Sequence, residues 1–169
     1  GTDVIRIGTS TPSINGLTDS ISEPIIIRGS DLVGGEDGFD QLVLGDALDD
    51  NDNIGSMTRN SINGLGMSSN LDADNGFNAS ITYYDLDDVQ IYLGTGNATF
   101  TVNSTHTGTT TVDYNSGDDT IYIATIDGAT EVRTQDDYDT VTVGRATNGL
   151  LTDGTLDGIN GGLLQLRLG

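Results

Sequence analysis

The chain has no cysteine, no tryptophan and no lysine, and only two prolines in 169 residues. Without cysteine there are no disulfide staples; that does not exclude an oxidising, extracellular setting, but it shifts the stapling role toward metal ions. Without lysine, positive charge rests on 6 arginines against 23 aspartates and 3 glutamates, a net charge of −20. A surface of that sign excludes nucleic acid as a natural partner and disfavours anionic membranes, since both need the opposite charge. Hydrophobic residues make up 34% and aromatics 5%, too little for a thick globular core. No run is apolar enough to span a membrane, and no run of ten or more residues keeps a 3.6-residue period, so neither membrane insertion nor helices are expected. No signal peptide is visible and the chain opens inside a repeat, which predicts a mature fragment.

What is present is repetition. Asp3-Val4-Ile5-Arg6-Ile7-Gly8 returns, offset by 136, as Asp139-Thr140-Val141-Thr142-Val143-Gly144. Each copy runs through a polar Gly/Asn/Thr/Ser stretch to an apolar segment closed by arginine, Ile25-Ile26-Ile27-Arg28 and Leu164-Gln165-Leu166-Arg167, now offset by 139. The chain 1–169 therefore reads as a single segment holding one unit, 3–138, and the start of the next, 139–169, as in a tandem array. A shorter period lies inside. Thr99, Thr120 and Thr140 step by 21 and then 20, and Ile91, Val112 and Val132 keep the same rhythm. Each step holds two short strands and two turns. Phe100/Val102, Ile121/Ile123 and Val141/Val143 alternate with Thr99/Thr101, Thr120/Tyr122 and Thr140/Thr142, the period-two pattern of half-buried strands.

Steps of about 20 residues with this content predict an all-β fold, a right-handed parallel β-helix (solenoid) whose coils stack like residues into ladders. The inward ladder is expected to hold Phe100, Ile121, Val141 and, from the first copy, Ile5. The outward one holds Tyr92, Asp113 and Arg133, with Asp113 and Arg133 near enough to pair. The stretches 45–80 and 145–161 break the short period and read as irregular acidic coils and loops, with strands near 57–59 and 81–83.

The preference for aspartate over glutamate matters, because short carboxylates beside glycine and asparagine in turns are what calcium loops require. The run from Gly34 to Leu42 offers Asp37 and Asp40. Stacked turns would gather Asp118 and Asp119 with Asp136, Asp137 and Asp139. The densest run offers Asp46, Asp49, Asp50 and Asp52, but lacks the glycine and glutamate of an EF-hand. These eleven aspartates are the candidate metal ligands and Ca2+ the expected ion; the competing reading is solvated turn aspartates bonded to local amides. Asp72, Asp74, Asp85, Asp87 and Asp88 are weaker candidates. His106, the single histidine, reads as a surface residue. Asn78, Asn97 and Asn103 begin N-x-S/T sequons, glycan acceptors in a eukaryotic secreted protein. No nucleophile elbow, phosphate loop or dinucleotide fingerprint is found, and no enzyme activity is expected.

The Gly34–Leu42 run resembles, with one inserted residue, the G-G-x-G-x-D-x-hydrophobic nonapeptide of RTX calcium proteins. With "NSGDDTIYI" and "TLDGINGGLLQLRLG" it resembles the very long, acidic tandem-repeat surface proteins of aquatic bacteria and microalgae. That resemblance implies a secreted, calcium-associated repeat at the cell surface or in an extracellular filament, with a structural or adhesive role. The expected partners are neighbouring repeats or copies of itself stacked axially, and a polysaccharide matrix. Two other functions compete: an ice- or mineral-binding threonine surface, with Tyr122 and Arg6 interrupting its column, and a polysaccharide-active β-helix enzyme using Arg133 near Asp113.

Overall fold

The computed structural model describes residues 1–8, 16–29, 38–68, 78–144, 155–159 and 162–169. Asp37, Asp72 and Asp74 lie outside these. The described residues are all β. The strands are β1 (Asp3–Ile7), β2 (Ile25–Arg28), β3 (Asp40–Gly45), β4 (Ile54–Thr58), β5 (Ser61–Gly64), β6 (Ser80–Tyr84), β7 (Asp88–Tyr92), β8 (Thr99–Val102), β9 (Thr109–Asp113), β10 (Thr120–Ile123), β11 (Thr130–Arg133), β12 (Thr140–Val143) and β13 (Leu164–Arg167). No helix among the described residues is long and apolar enough to cross a membrane.

The strands form two sheets. The first has the order β1-β3-β7-β9-β11-β13 and the second β12-β10-β8-β4-β5-β6-β2. From β7 onward successive strands alternate between the sheets, so each pairs, in parallel, with the next but one in the chain. The alternating pattern causes this. In β8 and β10 the apolar residues Phe100, Val102, Ile121 and Ile123 are fully buried, while their neighbours stay partly or fully exposed. A one-residue slip would turn every apolar side chain outward, so the register is fixed.

The expected ladders stand in register. Thr120 faces Thr99 on one side and Thr140 on the other, with Phe100, Ile121 and Val141 alongside. Ile91, Val112 and Val132 align in the first sheet. Ile5, however, does not join Phe100. It faces Leu42 in the first sheet, so Arg6 lies outside the threonine column as well. Beyond Phe100 the ladder meets Gly55, where a Cβ would collide with the Phe100 and Leu65 side chains. The ring fills the space of the missing side chain, which is what a glycine inside a strand permits.

The second sheet departs from the all-parallel expectation. β5 runs antiparallel to both β4 and β6. Thr58 and Ser61 face each other across Arg59-Asn60, a two-residue hairpin loop closed by a 2.7 Å contact between the Thr58 and Ser61 hydroxyls. The reversal inserts a strand between β4 and β6 that the regular two-strand step does not contain. Met57, Ile62 and Ile81 of this meander are fully buried and join the same core as Phe100 and Ile121.

Candidate functional site

Three groups of polar residues stand out, and the sequence points to part of each. The first is a buried acidic pocket. Asp46 follows β3 directly and is 0% exposed; Asp49, one turn on, is 1% exposed. The Asp46 carboxylate accepts hydrogen bonds from the Thr18 backbone N–H at 2.8 Å and its hydroxyl at 3.0 Å. That hydroxyl also contacts the Leu65 carbonyl. Asp49 accepts from the Asn51 backbone N–H at 2.9 Å and side-chain amide at 2.5 Å, and from the Asn53 side-chain amide. The loop that presents Asp49 is clamped by Gly94 and Thr95. The Thr95 N–H donates to the Asp49 carbonyl at 2.6 Å, and a side chain on Gly94 would strike that carbonyl.

Burial pushes the Asp46 carboxyl up to about 7, with Asp49 and Asp19 adding repulsion and the Thr18 bonds opposing it. Asp19 is raised too, by desolvation and then by Asp49. The sequence points to Asp46 and Asp49 here; it does not point to Thr18 and Asp19. Those two precede β2 in the chain and meet the Asp46 loop, 28 residues on, only through the tertiary fold. No local pattern in the sequence joins them. Asp50 and Asp52, expected with this cluster, are exposed.

The second group is the corner where successive turns stack, and here the carboxylates are tie-bars. The Asp52 carboxylate accepts the Asn97 N–H at 2.9 Å, the Asn97 side-chain carbonyl accepts the Asp118 N–H at 2.9 Å, and Asp118 accepts the Tyr138 N–H at 3.1 Å. A second line runs the other way. Asp119 accepts from the Ala98 N–H at 2.7 Å, Asp139 from the Asp119 N–H at 3.0 Å, and Asp137 from the Gly117 N–H at 3.1 Å. The expected meeting of Asp118 and Asp119 with Asp137 and Asp139 is thus present, with backbone amides as partners. Asp136 is exposed. Asp119 is 2% exposed, and burial first, then Asp139, Asp118 and Asp137, push its carboxyl up to about 6.

At the opposite corner Asp40 is buried, and its N–H donates to the Asp87 carboxylate at 2.7 Å. Asp88 accepts from the Gln41, Gln90 and Thr109 side chains at 2.6, 2.8 and 2.7 Å. Among the described residues no group of three or more His, Asp or Glu side chains is placed ready to hold a metal ion. The local reason is visible in both groups: amide and hydroxyl donors already face the carboxylate oxygens.

The third group is the outer face of the first sheet. Tyr92, Asp113, Arg133 and Arg167 stand in one column. Arg133 pairs with Asp113 at 3.4 Å, as expected, and with Glu131 at 2.6 Å; Arg167 reaches the other Glu131 oxygen. Glu131 lies in the neighbouring column and separates the two arginines. Its carboxyl is held below the usual range, first by the Arg133 hydrogen bond.

His106 is half-buried rather than exposed. Its ring packs edge-on to Tyr83 at 6.1 Å and its Nδ1 lies 3.3 Å from the Thr110 hydroxyl. Burial lowers its pKa, against the Asp87 backbone and the Asp88 and Asp87 charges. Asn78, Asn97 and Asn103 are all exposed. Comparison with protein-family models, curated proteins and solved structures finds no match to any of them.

Proposed function

We propose that the chain is a structural or adhesive repeat of an extracellular filament or surface layer: a right-handed parallel β-helix that continues head to tail and is stiffened by calcium. The observation that carries the reading is the state of the sheet edges. Among the described residues β1 and β13 end the first sheet, and β12 and β2 end the second, each paired on one side only. Apolar side chains are exposed on these strands: Ile5 at 39%, Ile26 at 65% and Leu166 at 38%. An open edge rich in apolar residues is a template for another strand, and the strands at one end repeat the sequence of those at the other.

Calcium is the cation of this reading, because buried Asp46 and Asp49 lie beside the exposed carboxylate of Asp19 and repel one another, and oxygen-rich acidic sites suit that ion. Binding there would set aside the Asn51 and Asn53 amides that now serve Asp49. Thermal melting with calcium and with chelator tests the role: a higher Tm with calcium is expected, and an unchanged Tm ends it. Sedimentation at rising concentration tests the association; a chain that stays monomeric with its edges free counts against the array.

An ice- or mineral-binding face is the second reading. Thr99, Thr120 and Thr140 form one unbroken column, while Tyr122 interrupts Thr101 and Thr142 in the next. A polysaccharide-active enzyme is less well supported, since Arg133 is already engaged by Asp113 and Glu131.

A further inference from the structure

Resting on the repeat reading above, we infer that successive units exchange sheets: the first sheet of one unit runs on as the second sheet of the next. The two copies of the repeated sequence lie in opposite sheets. In the first copy β1 belongs to the first sheet and β2 to the second; in the second copy β12 belongs to the second sheet and β13 to the first. The equivalence is structural as well as sequential. β1 and β12 both run into a glycine in the left-handed half of backbone space, Gly8 at φ 139° and Gly144 at φ 121°.

Hydrogen-bond parity supports it independently. In a parallel sheet alternate residues point their amides to opposite neighbours. In β12, Thr140 and the following Gly144 donate to the β10 side, through the Asp119 and Ile123 carbonyls. That leaves Asp139, Val141 and Val143 facing the open edge. Their equivalents in β1 are Asp3, Ile5 and Ile7, and Asp3 donates to the Phe39 carbonyl at the start of β3. β13 repeats the result. The Leu163 and Arg167 carbonyls accept from the β11 side, so Leu164, Leu166 and Leu168 face the open edge. Their equivalents Ile25, Ile27 and Gly29 are the residues turned toward β6, with the Gly29 N–H donating to the Tyr84 carbonyl. Each seam strand is therefore seen twice, once with its upstream partner and once with its downstream partner, on complementary sides. The open edge of β12 fits a β3-type strand, and that of β13 a β6-type strand, of a second copy.

The exchange also resolves a mismatch. From β1 to β13 the first sheet advances five strand steps; from β2 to β12 the second advances six, because β5 is extra. If each sheet kept its identity, the two sides would diverge by one strand spacing, about 4.8 Å, per unit and the array would bend. With exchange, each sheet advances eleven steps in two units. The axial repeat is then about 53 Å for two units, with the β4–β6 meander on alternate faces.

The test is a tandem protein in which the full chain continues from Arg167 into Gly29 of a second copy, so that β12 and β13 serve as that copy's first two strands. The chain has no native cysteine, so engineered pairs report cleanly. Because Val4 faces Gln41, Thr140→Cys in the first copy combined with Gln41→Cys in the second should form a disulfide under mild oxidation, read by mass spectrometry. Gln165→Cys with the same Gln41→Cys should not. The reverse outcome overturns the exchange and leaves head-to-tail stacking standing. Neither disulfide, or a tandem protein that melts below the single chain, removes the stacking reading and the exchange with it. In a longer tandem chain, a repeat of about 26 Å with every meander on one face would likewise overturn the exchange.

Discussion

The strands from β7 to β12 and those from β3 to β6 share one core but are held in different ways. In the later stretch each turn is tied to the next by a side-chain oxygen accepting a backbone N–H, from Asn97 to Asp118 to Tyr138 and back through Asp139, Asp119 and Ala98. The carboxylates there sit at a corner. In the earlier stretch an extra antiparallel strand is inserted, and Asp46 and Asp49 are turned into the protein. Periodic order permits local ties between like positions. Beside the break in the period Asp46 takes its partner from outside the regular step, Thr18, and Asp49 from its own loop, Asn51 and Asn53, whereas buried Asp119 is served by the like turn of the neighbouring strand at Ala98.

The largest predicted effect strikes the later stretch. Phe100 is fully buried, with Gly55 on one side and Ile121 on the other. Phe100→Ala is expected to lower stability by about 3–5 kcal/mol in denaturant unfolding. Because Gly55 offers no side chain to collapse into the void, the upper part of that range is expected. A loss below about 1 kcal/mol would mean the stack does not depend on its central ladder.

Next in size is the response to pH. The folded carboxyls of Asp46 and Asp119 titrate near 7 and 6, above the ordinary 3.8. The native state then binds more protons than the unfolded chain between about pH 4 and 7, so stability falls as pH rises through that window. Glu131 works the other way, its contribution being lost as pH drops below its usual 4.5. The Tm should therefore peak near pH 4, where the Glu131 contribution is being gained and those of Asp46 and Asp119 are only beginning to be lost, and be several degrees lower at pH 8 in chelator. Calcium at the Asp46 pocket should move the peak upward, since a cation favours the ionised form. A peak at pH 8 in chelator would contradict the buried-charge description of both sites.

Substitutions at the two aspartates separate the regions. Asp46→Asn and Asp119→Asn each keep an acceptor oxygen and remove a charge, so both are expected to be neutral or stabilising at pH 8. Asp46→Ala and Asp119→Ala leave the Thr18 and Ala98 amides unpaired in the interior and should cost about 1–3 kcal/mol. If the calcium role resides in the irregular stretch, Asp46→Asn abolishes the calcium-dependent rise in Tm and Asp119→Asn preserves it. Loss of that rise in Asp119→Asn alone would move the ion to the stacked corner.

The regular stretch is legible in the sequence because a strand pattern of period two, recurring at Thr99, Thr120 and Thr140, fixes both burial and neighbour. The same alignment brings Asp113 beside Arg133 and gives the all-β class. The meander is legible only in part: the strands expected near 57–59 and 81–83 are β4 and β6, but the reversal into β5 is not seen, because Arg59-Asn60 carries none of the glycine usual in tight hairpins and β5 belongs to no repeat. The expected place of Ile5 beside Phe100 does not hold for a different reason: equivalent sequence in two copies does not fix which sheet each copy joins, only which edge of a strand bonds to what. The acidic corner is legible as a cluster, but the backbone amides that neutralise it carry no sequence signal.

The smallest effect belongs to the outer face of the first sheet, where the comparison predicts nearly nothing. Arg133 is tied to Asp113 and Glu131, and its side chain is 39% exposed. Exposed ion pairs gain little, because water and salt already screen both partners and ordering long side chains opposes the attraction. Arg133→Ala should change Tm by no more than about 1–2 °C, and roughly half of that should vanish in about 1 M salt. The substitution also leaves Arg167 as the sole arginine beside Glu131, so Arg133→Ala with Arg167→Ala should exceed the sum of the single changes. A drop of many degrees from Arg133→Ala alone would show that the charged column carries the stack, and would put the regular stretch on the same electrostatic footing as the buried pocket.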